Sequence, residues 1–579
     1  MQHLLVRFDT KWQLVCILLV GVLIYIIPVF FYPVSDPGES YYIASGLEML
    51  NNNEFLVPVL NNQIYFSKPV LSYWLVEIAF KVFGINEWAG RIPFALVAIV
   101  NSFIVYIFVR LIYTQKAAWW AALITLAAPM LVLNTKLSPI DIVFGVSLNL
   151  ALYTFILSIN TFKTKFYWIF IYLGLAVACL TKGPAALVLL VMPLILALCV
   201  LQTKKLTLIK WFKRLHLIQG LLIFLALVLP WFVLITLKTK GLFIKVFLLY
   251  ENYGRFLGRT NMSKTKIWYF IPVILYSLFP WIFGLPFIVL KKMPNLPYHK
   301  YLSNIFLLLF SLTTFLIFSI SKTKLDTYIL PMICPLAILI VTGIENRLTG
   351  VNKYVKVLLW LFILVQAMLA IVCQVLVVYY NDLILFVKLL LFIVSLILAY
   401  LTFKNIKAYQ RQNYNQVFNL TVFSVVFFEA MLITPFLNKY INNKQASLKQ
   451  LAIYLKKQND PAVFFQGFKP SVQFYYGKPI NTFFHGENLT QNLSFKNKYL
   501  ILLPENKLND LVKFLPLGYK IAIVQKPYMI ISVDHANFKP IPTLSESFSD
   551  DNSFKQIISG HTQAGPFTVP YAVGDFFKH

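Results

Sequence analysis

Long apolar runs alternate with short, mostly basic polar breaks over the first three quarters of this chain. Taking about 17 to 25 apolar residues as enough to cross a bilayer predicts about thirteen spans. They fall near residues 12–33, 91–113, 117–134, 138–160, 166–181, 184–202, 217–237, 268–290, 302–320, 328–346, 355–379, 384–403 and 416–436. A tight hairpin is expected at "CLTKGPAAL", where Gly183 and Pro184 break the helix. The first run reaches about Tyr32 with no small-residue cleavage site, so an uncleaved span is expected there.

Two departures from this rhythm stand out. The break at 34–90 is long, and inside it residues 39–50 read as a short helix and "PVLSYWLVEIAFKVF", 69–83, as another that ends at Gly84. The second is apolar but short for a span and carries Glu77 and Lys81. It is therefore placed in the membrane interface, with Trp74 and Trp88 at headgroup level. After about 437 the apolar runs shorten: "PAVFFQ", "KYLILLP" and "YKIAIVQ" read as strands and "QASLKQLAIYLKKQ" as an amphipathic helix. The expected organisation is a transmembrane domain over 1–436 and a small α/β domain over 437–579 with a polar tail from about 541.

Composition agrees with a polytopic α-helical membrane protein. Hydrophobic residues fill 59% of 579 positions, and mean hydropathy is +0.72, where soluble domains are about half apolar. The net charge of +29 does not point to nucleic acid, because the basic residues cluster in breaks between spans. One set of breaks holds Arg7 and Lys11; Arg110 and Lys116; Lys163 and Lys165; Lys204, Lys205, Lys210, Lys213 and Arg214; Lys291, Lys292 and Lys300; Arg347, Lys353 and Lys356; and Lys404, Lys407 and Arg411. By the positive-inside rule these face the cytoplasm. The opposite side then receives the loops 34–90 and 238–267, the turns near Asp141, Lys182 and 320–327, and everything after 437. Five scattered cysteines, with no CxxC spacing, indicate neither disulfides nor a cysteine metal site. None of the seven histidines lies in an outer membrane loop.

Most residues with chemical potential gather on that outer side. Asp36-Pro37-Gly38-Glu39 has the form of a capping box, with Asp36 as N-cap and Glu39 reaching back; alternatively a carboxylate here takes a proton or orients a cation. Lys68 in "YFSKP" either snorkels to lipid phosphate or holds the phosphate of a lipid-linked substrate, with Tyr65 donating a hydrogen bond. Asp141 is either a first-turn acid or a functional acid at the edge of an apolar span. "YENYGRFLG" adds Glu251 and Arg255, and "SKTKLDTYILP" adds Lys322, Lys324 and Tyr328. With Lys68 and Lys182 they form a set of cations and phenols suited to a phosphate or pyrophosphate headgroup.

Seven motifs occur in order: Glu39-x-x-Tyr42, "YFxKP" (65–69), "GxxxWAxRxP" (84–93), "TKGP" (181–184), "ExxxRF" (251–256), "PW" (280–281) and "KLxTYILP" (324–331). Together they resemble the bacterial polyprenyl-phosphate-sugar glycosyltransferases of the GT-C superfamily, in particular the lipid A aminoarabinose transferases, which are related to protein mannosyltransferases. The resemblance implies a GT-C fold of about thirteen spans, interfacial helices in the first periplasmic loop and a periplasmic C-terminal α/β domain. The implied enzyme sits in the bacterial inner membrane and moves a sugar from undecaprenyl phosphate to a periplasmic acceptor such as lipid A. Tyr65, Lys68, Arg255, Lys324 and Tyr328 would then handle substrate phosphate, while Asp36, Glu39, Tyr42 and Asp141 would line the catalytic cavity. Two departures matter. Gly38 occupies the family's usual Asp position, and the metal-binding relatives' Glu and His are replaced by Ser67 and Asn252, so no metal and no cofactor is expected.

Two rivals remain open from the residues. A protein mannosyltransferase-like enzyme would act on the Ser or Thr of a secreted protein and would depend more on a base. A flippase or transporter would show internal repeats and ionisable residues near mid-span, but no repeat is seen and the polar residues gather at the outer face.

Overall fold

A computed structural model of the chain describes residues 10–137, 139–160, 166–201, 205–259, 265–288, 296–348, 350–379, 385–458, 460–484, 489, 499–513 and 519–533. The polar tail expected from about 541 lies outside them, as do Arg7 and the basic residues at 163, 165, 204, 291 and 292. The chain folds as two compact units. One comprises Met1–Phe31, Arg91–Pro230 and Thr265–Asn438; the other comprises Tyr32–Gly90, Trp231–Lys264 and Lys439–His579.

The first unit is helical. Among the described residues of the whole chain, eight helices are long and apolar enough to cross a membrane, or ten if each of two bent pairs counts once. The bent pairs are Gln115–Leu126 with Pro129–Leu137 at 42° and Ile267–Ser277 with Trp281–Phe287 at 109°. Two shorter apolar helices, Tyr167–Lys182 and Ala185–Val200, meet at Gly183, whose φ of 77° ends the first of them. This is the hairpin expected at "TKGP".

The helix Pro139–Asn160 is 94% buried over its most apolar window, which follows from a sequence apolar on every face. Small residues let its neighbours approach. A Cβ on Gly174 would lie 2.7 Å from the Ser147 carbonyl oxygen. Buried amides supply the remaining cohesion: Asn405 donates to Gln366 Oε1 at 2.7 Å, and Gln366 donates to Ser424 Oγ at 2.6 Å. These bonds join three helices, Lys353–Tyr379, Leu385–Gln410 and Tyr414–Phe428. An apolar surround offers such amides no water, so they pair with one another.

The second unit contains the helix expected over 39–50, observed as Glu39–Asn51, and the one expected over 69–83, observed as Leu71–Phe83 and ended by Gly84. The two touch where Gly46 leaves space for Val76. Between them a hairpin pairs β1 (Val59–Leu60) with β2 (Gln63–Ile64). Asn61 and Asn62 form its two-residue turn with φ of 57° and 59°, the left-handed conformation that a type I′ turn requires.

The C-terminal part of this unit is a five-stranded sheet of β3 (Ala462–Phe465), β4 (Asn481–Phe483), β5 (Tyr499–Pro504), β6 (Tyr519–Gln525) and β7 (Tyr528–Val533), in the order β4-β3-β5-β7-β6. The pairs of β3 with β4 and β5 are parallel, and those of β7 with β5 and β6 are antiparallel. Phe464, Leu500 and Leu502 pack on one face with Leu451 and Leu455, while Val463, Phe465 and Ile501 pack on the other. With both faces covered, the central strands read as unbroken apolar runs rather than alternating ones.

A prediction tests the close packing of the first unit. A Cβ on Gly343 would fall 2.5 Å from the Phe287 carbonyl oxygen, whereas Gly350 has open space around it. Gly343→Ala is expected to cost about 1–3 kcal/mol and to lower the thermal midpoint in detergent, with Gly350→Ala unchanged.

Candidate functional site

The nine side chains singled out in the sequence divide between the units. Asp36, Glu39, Tyr42, Tyr65, Lys68 and Arg255 are in the second; Asp141, Lys324 and Tyr328 are in the first.

In the second unit the organising residue is Glu251, which the sequence brought forward only as a neighbour of Arg255. It lies in a π-helical turn, Lys245–Gly254, and its side chain is 1% exposed. Its Oε2 pairs with Arg255 at 2.6 Å and with Lys68 at 3.5 Å, and Ser67 Oγ lies 3.5 Å away. The Lys68 ammonium also donates to the Ser67 carbonyl at 2.8 Å. Aromatic packing brings these groups together. Phe66, two residues before Lys68, sets its ring edge-on against Phe243, which stacks on Phe247, four residues before Glu251. Trp231 packs against the same Phe243 and donates from Nε1 to the Leu56 carbonyl at 3.0 Å. The result is two cations on one buried carboxylate. The i, i+4 spacing of Glu251 and Arg255 was the available sequence signal.

Beside this group four phenols pack together. Tyr41 stacks on Tyr65 at 5.8 Å, and Tyr73 contacts Tyr42 at 5.6 Å and Tyr65 at 6.5 Å. Burial pushes the Tyr65 and Tyr73 hydroxyls well above the usual phenol range, so both stay protonated.

Asp36 departs from the capping-box expectation. The helix begins at Glu39 after Gly38, whose φ is 125°, and no side chain caps it. Glu39 instead reaches back to the Ser35 N–H at 2.8 Å. The Asp36 carboxylate turns to Ser471, accepting from the backbone N–H at 3.3 Å and from the hydroxyl, while its carbonyl accepts from Gln445 at 2.9 Å. The physical reason is competition: Ser471 supplies two donors in a buried place, whereas Gly38 breaks the register that an Asp36 cap needs. Burial pushes the Asp36 carboxyl up, against the lowering effect of its hydrogen bonds with Ser40 and Ser471 and of nearby Lys469.

In the first unit Asp141 sits in the first turn of Pro139–Asn160 and forms an ion pair with Lys182, the last residue of its helix. Each charge is also favoured by the helix end on which it lies. The Lys182 ammonium lies 5.0 Å from the Phe144 ring centre and 5.2 Å from that of Tyr328. Asp141, Lys182 and Tyr328 are therefore together. Lys324 has another commitment: it is buried and donates to the carbonyls of Ser321 at 2.5 Å and Thr265 at 3.3 Å. Asp326, which the sequence reading passed over, accepts from the Tyr269 hydroxyl and from Tyr276 at 3.0 Å. Lys324 and Asp326 thus stitch 321–328 to 265–277.

Ser67, Glu251 and Asn252 do not suit a metal. Asn252 spends its amide on the Phe247 carbonyl at 2.6 Å, Ser67 is a neutral hydroxyl, and Glu251 already carries two cations. Among the described residues no three His, Cys, Asp or Glu side chains gather as a metal site would need.

The structure of ArnT from Cupriavidus metallidurans bound to undecaprenyl phosphate matches with a TM-score of 0.75, over 92% of this chain and 100% of that one, at 19% identity. The chain has the GT-C fold. AglB, an oligosaccharyltransferase from Archaeoglobus fulgidus, matches the same GT-C chain with a TM-score of 0.53 and 12% identity, over 86% of this chain and 70% of that one. By sequence the GT-C chain is similar to proteins named undecaprenyl phosphate-alpha-4-amino-4-deoxy-L-arabinose arabinosyl transferase. The one from Wigglesworthia glossinidia brevipalpis is 30% identical over 341 residues, 58% of this chain and 59% of the relative. The second of the two such proteins from Proteus mirabilis is 29% identical over 368 residues, 60% of this chain and 63% of the relative. The chain thus spans about three fifths of the length of the curated relatives it matches. A family described as dolichyl-phosphate-mannose-protein mannosyltransferase matches residues 67–234.

The Asp36 geometry generates a pH prediction. A carboxyl with a raised folded-state pKa contributes stability below its unfolded value and loses it as pH rises through the folded value. Asp36→Asn keeps an acceptor for the Ser471 N–H and does not titrate. Its melting temperature relative to the native chain is therefore expected to rise between acid and neutral pH. Asp36→Ala strands both Ser471 donors and is expected to cost about 1–3 kcal/mol at either pH.

Proposed function

We propose that this protein is an inner-membrane glycosyltransferase that moves an amino sugar, aminoarabinose or a hexosamine such as galactosamine, from undecaprenyl phosphate to lipid A at the periplasmic face. The observation that carries the reading is the Lys68–Glu251–Arg255 group, a buried Arg255 and a partly exposed Lys68 sharing one buried carboxylate. In the donor, the sugar C1 is bonded to a phosphodiester oxygen. As that bond breaks and a bond from C1 to the acceptor oxygen forms, the polyprenyl phosphate leaves as a monoester and gains a second negative charge. Cations fixed beside it and largely shielded from water interact more strongly with this transition state than with the ground state. The phenols of Tyr65 and Tyr42 flank the same region and suit the sugar and phosphate oxygens.

A phosphate acceptor suits the carboxylates as they stand. Glu39 is tied to the Ser35 N–H and Asp141 to Lys182, so neither is an uncommitted base. A hydroxyl acceptor must lose a proton as it attacks, whereas a lipid A phosphate is already an anion. Catalysis then rests on positioning and on stabilising the leaving phosphate, with Glu39 of the second unit, and Asp141 and Tyr328 of the first, as substrate-orienting residues. The span count and the periplasmic α/β domain are part of this proposal. Adding the two short apolar helices and Tyr414–Phe428, continued by the 429–433 turn, to the ten long or bent ones makes about thirteen spans.

The family match over 67–234 favours a second reading, in which the acceptor is the Ser or Thr of a secreted protein. Mass spectrometry of lipid A from the native host separates the two. Deletion of the gene is expected to remove an aminopentose or hexosamine from lipid A. Lys68→Ala and Arg255→Ala are each expected to lower it by about 100-fold or more, while Asp36→Asn retains most of it. Unchanged lipid A in the deletion strain would transfer the claim to protein acceptors. Complete loss in Asp36→Asn would overturn catalysis by positioning.

A further inference from the structure

A cavity of about 460 Å³ opens in the first unit, where the turn Trp281–Phe287, the end of the helix Leu330–Leu348 and the start of the helix Lys353–Tyr379 meet. The two helices are consecutive, and both are long and apolar enough to cross a membrane. The break that joins them therefore lies where acyl chains give way to headgroups. We propose that the cavity binds one anionic phospholipid, with its phosphate on Arg347 and an acyl chain along the helix Lys353–Tyr379. The transferase reading does not use this place.

The polar end of the cavity is built around Arg347. Its Nη1 donates to the carbonyls of Phe287 at 2.5 Å and Gly343 at 3.1 Å, and its guanidinium carbon lies 5.0 Å from the Phe287 ring centre. These contacts fix the group from one side. Nε and Nη2 keep three N–H groups on another edge, and neither nitrogen is sealed in protein, since the side chain is half-buried and lines the cavity. That edge is the fork that meets two oxygens of a phosphate. Asn352 adds a donor: its oxygen accepts from the N–H groups of Tyr354 and Val355 at 3.1 Å each, so its amide nitrogen is left to donate. Lys353 and Lys356 are exposed neighbours of lining residues, and the Lys353 ammonium lies 5.2 Å from the Tyr354 ring centre. Among the described residues none of these three cations forms an ion pair. Glu345, two residues before Arg347, accepts instead from the Thr114 hydroxyl at 2.6 Å.

Donors and positive charge without a carboxylate in the lining select an anion, and the remaining walls select a lipid. Those walls are apolar and open: Phe283 is 39% exposed, Val357 58% and Leu361 37%. From Val357 and Leu361 an exposed row continues through Leu364, Met368 and Ile371 along one helix face, at spacings of three and four residues. The row is roughly 21 Å long, more than half of a hydrocarbon core of about 30 Å, which suits one acyl chain. A free phosphate or a soluble phosphoester would leave this surface unused. A second copy of the chain would call for small residues at a close helix contact, and the row is built of Val, Leu, Met and Ile. A zwitterionic lipid would bring an ammonium to three cations with no acid to receive it.

The test is native mass spectrometry of the full chain in a neutral detergent, titrated with phosphatidylglycerol, phosphatidylethanolamine or glycerol 3-phosphate. Saturable binding of phosphatidylglycerol is expected, about tenfold or more tighter than that of phosphatidylethanolamine, with none of glycerol 3-phosphate. Asn352→Asp keeps the acceptor for the Tyr354 and Val355 N–H groups and sets a carboxylate beside the phosphate. Val357→Trp fills the apolar wall and leaves the bonds of Arg347 alone. Each is expected to weaken phosphatidylglycerol binding about tenfold or more with the melting temperature unchanged. Asn413→Asp makes the same change at the cap of Tyr414–Phe428, outside the cavity lining, and is expected to bind as the native chain does. Undiminished phosphatidylglycerol binding by either folded cavity variant would overturn the proposal, and so would equal binding of the two lipids, which marks a general lipid coat only. Binding of glycerol 3-phosphate as tightly as the lipid, no lipid binding, or a lipid-free dimer would overturn it as well. The readout needs no transfer reaction, so its failure is distinct from failure of the proposed function.

Discussion

A buried carboxylate must be paired, and Glu251 meets that requirement with two cations taken from distant parts of the chain. Lys68 follows the first interfacial loop and Arg255 follows a π-helical turn, and their common partner is 1% exposed. Removing water from three charges is costly unless their geometry is held. The aromatic contacts of Phe66, Trp231, Phe243 and Phe247 supply that rigidity, because rings with few rotatable bonds lose little entropy when packed.

The same demand shapes the membrane unit at other places. Asp141 and Lys182 pair at two helix ends, and Asn405, Gln366 and Ser424 bond across three helices. In surroundings without water each polar group has to find a protein partner, so a single interaction fixes both the rotation and the depth of a helix. Small residues such as Gly174 and Gly343 then decide how closely the backbones approach. Lys324 shows the limit of judging a cation by its charge alone, since backbone carbonyls at Ser321 and Thr265 already hold its ammonium.

Much of this was legible in the sequence. The long apolar runs, the hairpin at Gly183, the helices near 39–50 and 69–83 and three of the C-terminal strands follow from local pattern and turn chemistry. Strand β4 was not legible because three residues carry too little periodicity, and β7 because its pairing with β5 and β6 is set by register across the sheet. The capping box was a sound local rule that a tertiary contact overrode. Ser471 lies 435 positions from Asp36 and offers it two donors.

Sequence by itself determined the class of fold, the candidate phosphate-binding cations and the phenols around them, because span length, charge clustering and motif spacing are local properties. Tertiary structure alone decided which carboxylate Lys68 and Lys182 meet. Only there does Glu251 emerge as the shared partner of Lys68 and Arg255, Asp141 as that of Lys182, and Glu48 as the clamp on a hairpin turn and Gln473. The reason is physical: an ion pair or a buried hydrogen bond depends on distances of about 3 Å, and packing between segments far apart in the chain sets those distances.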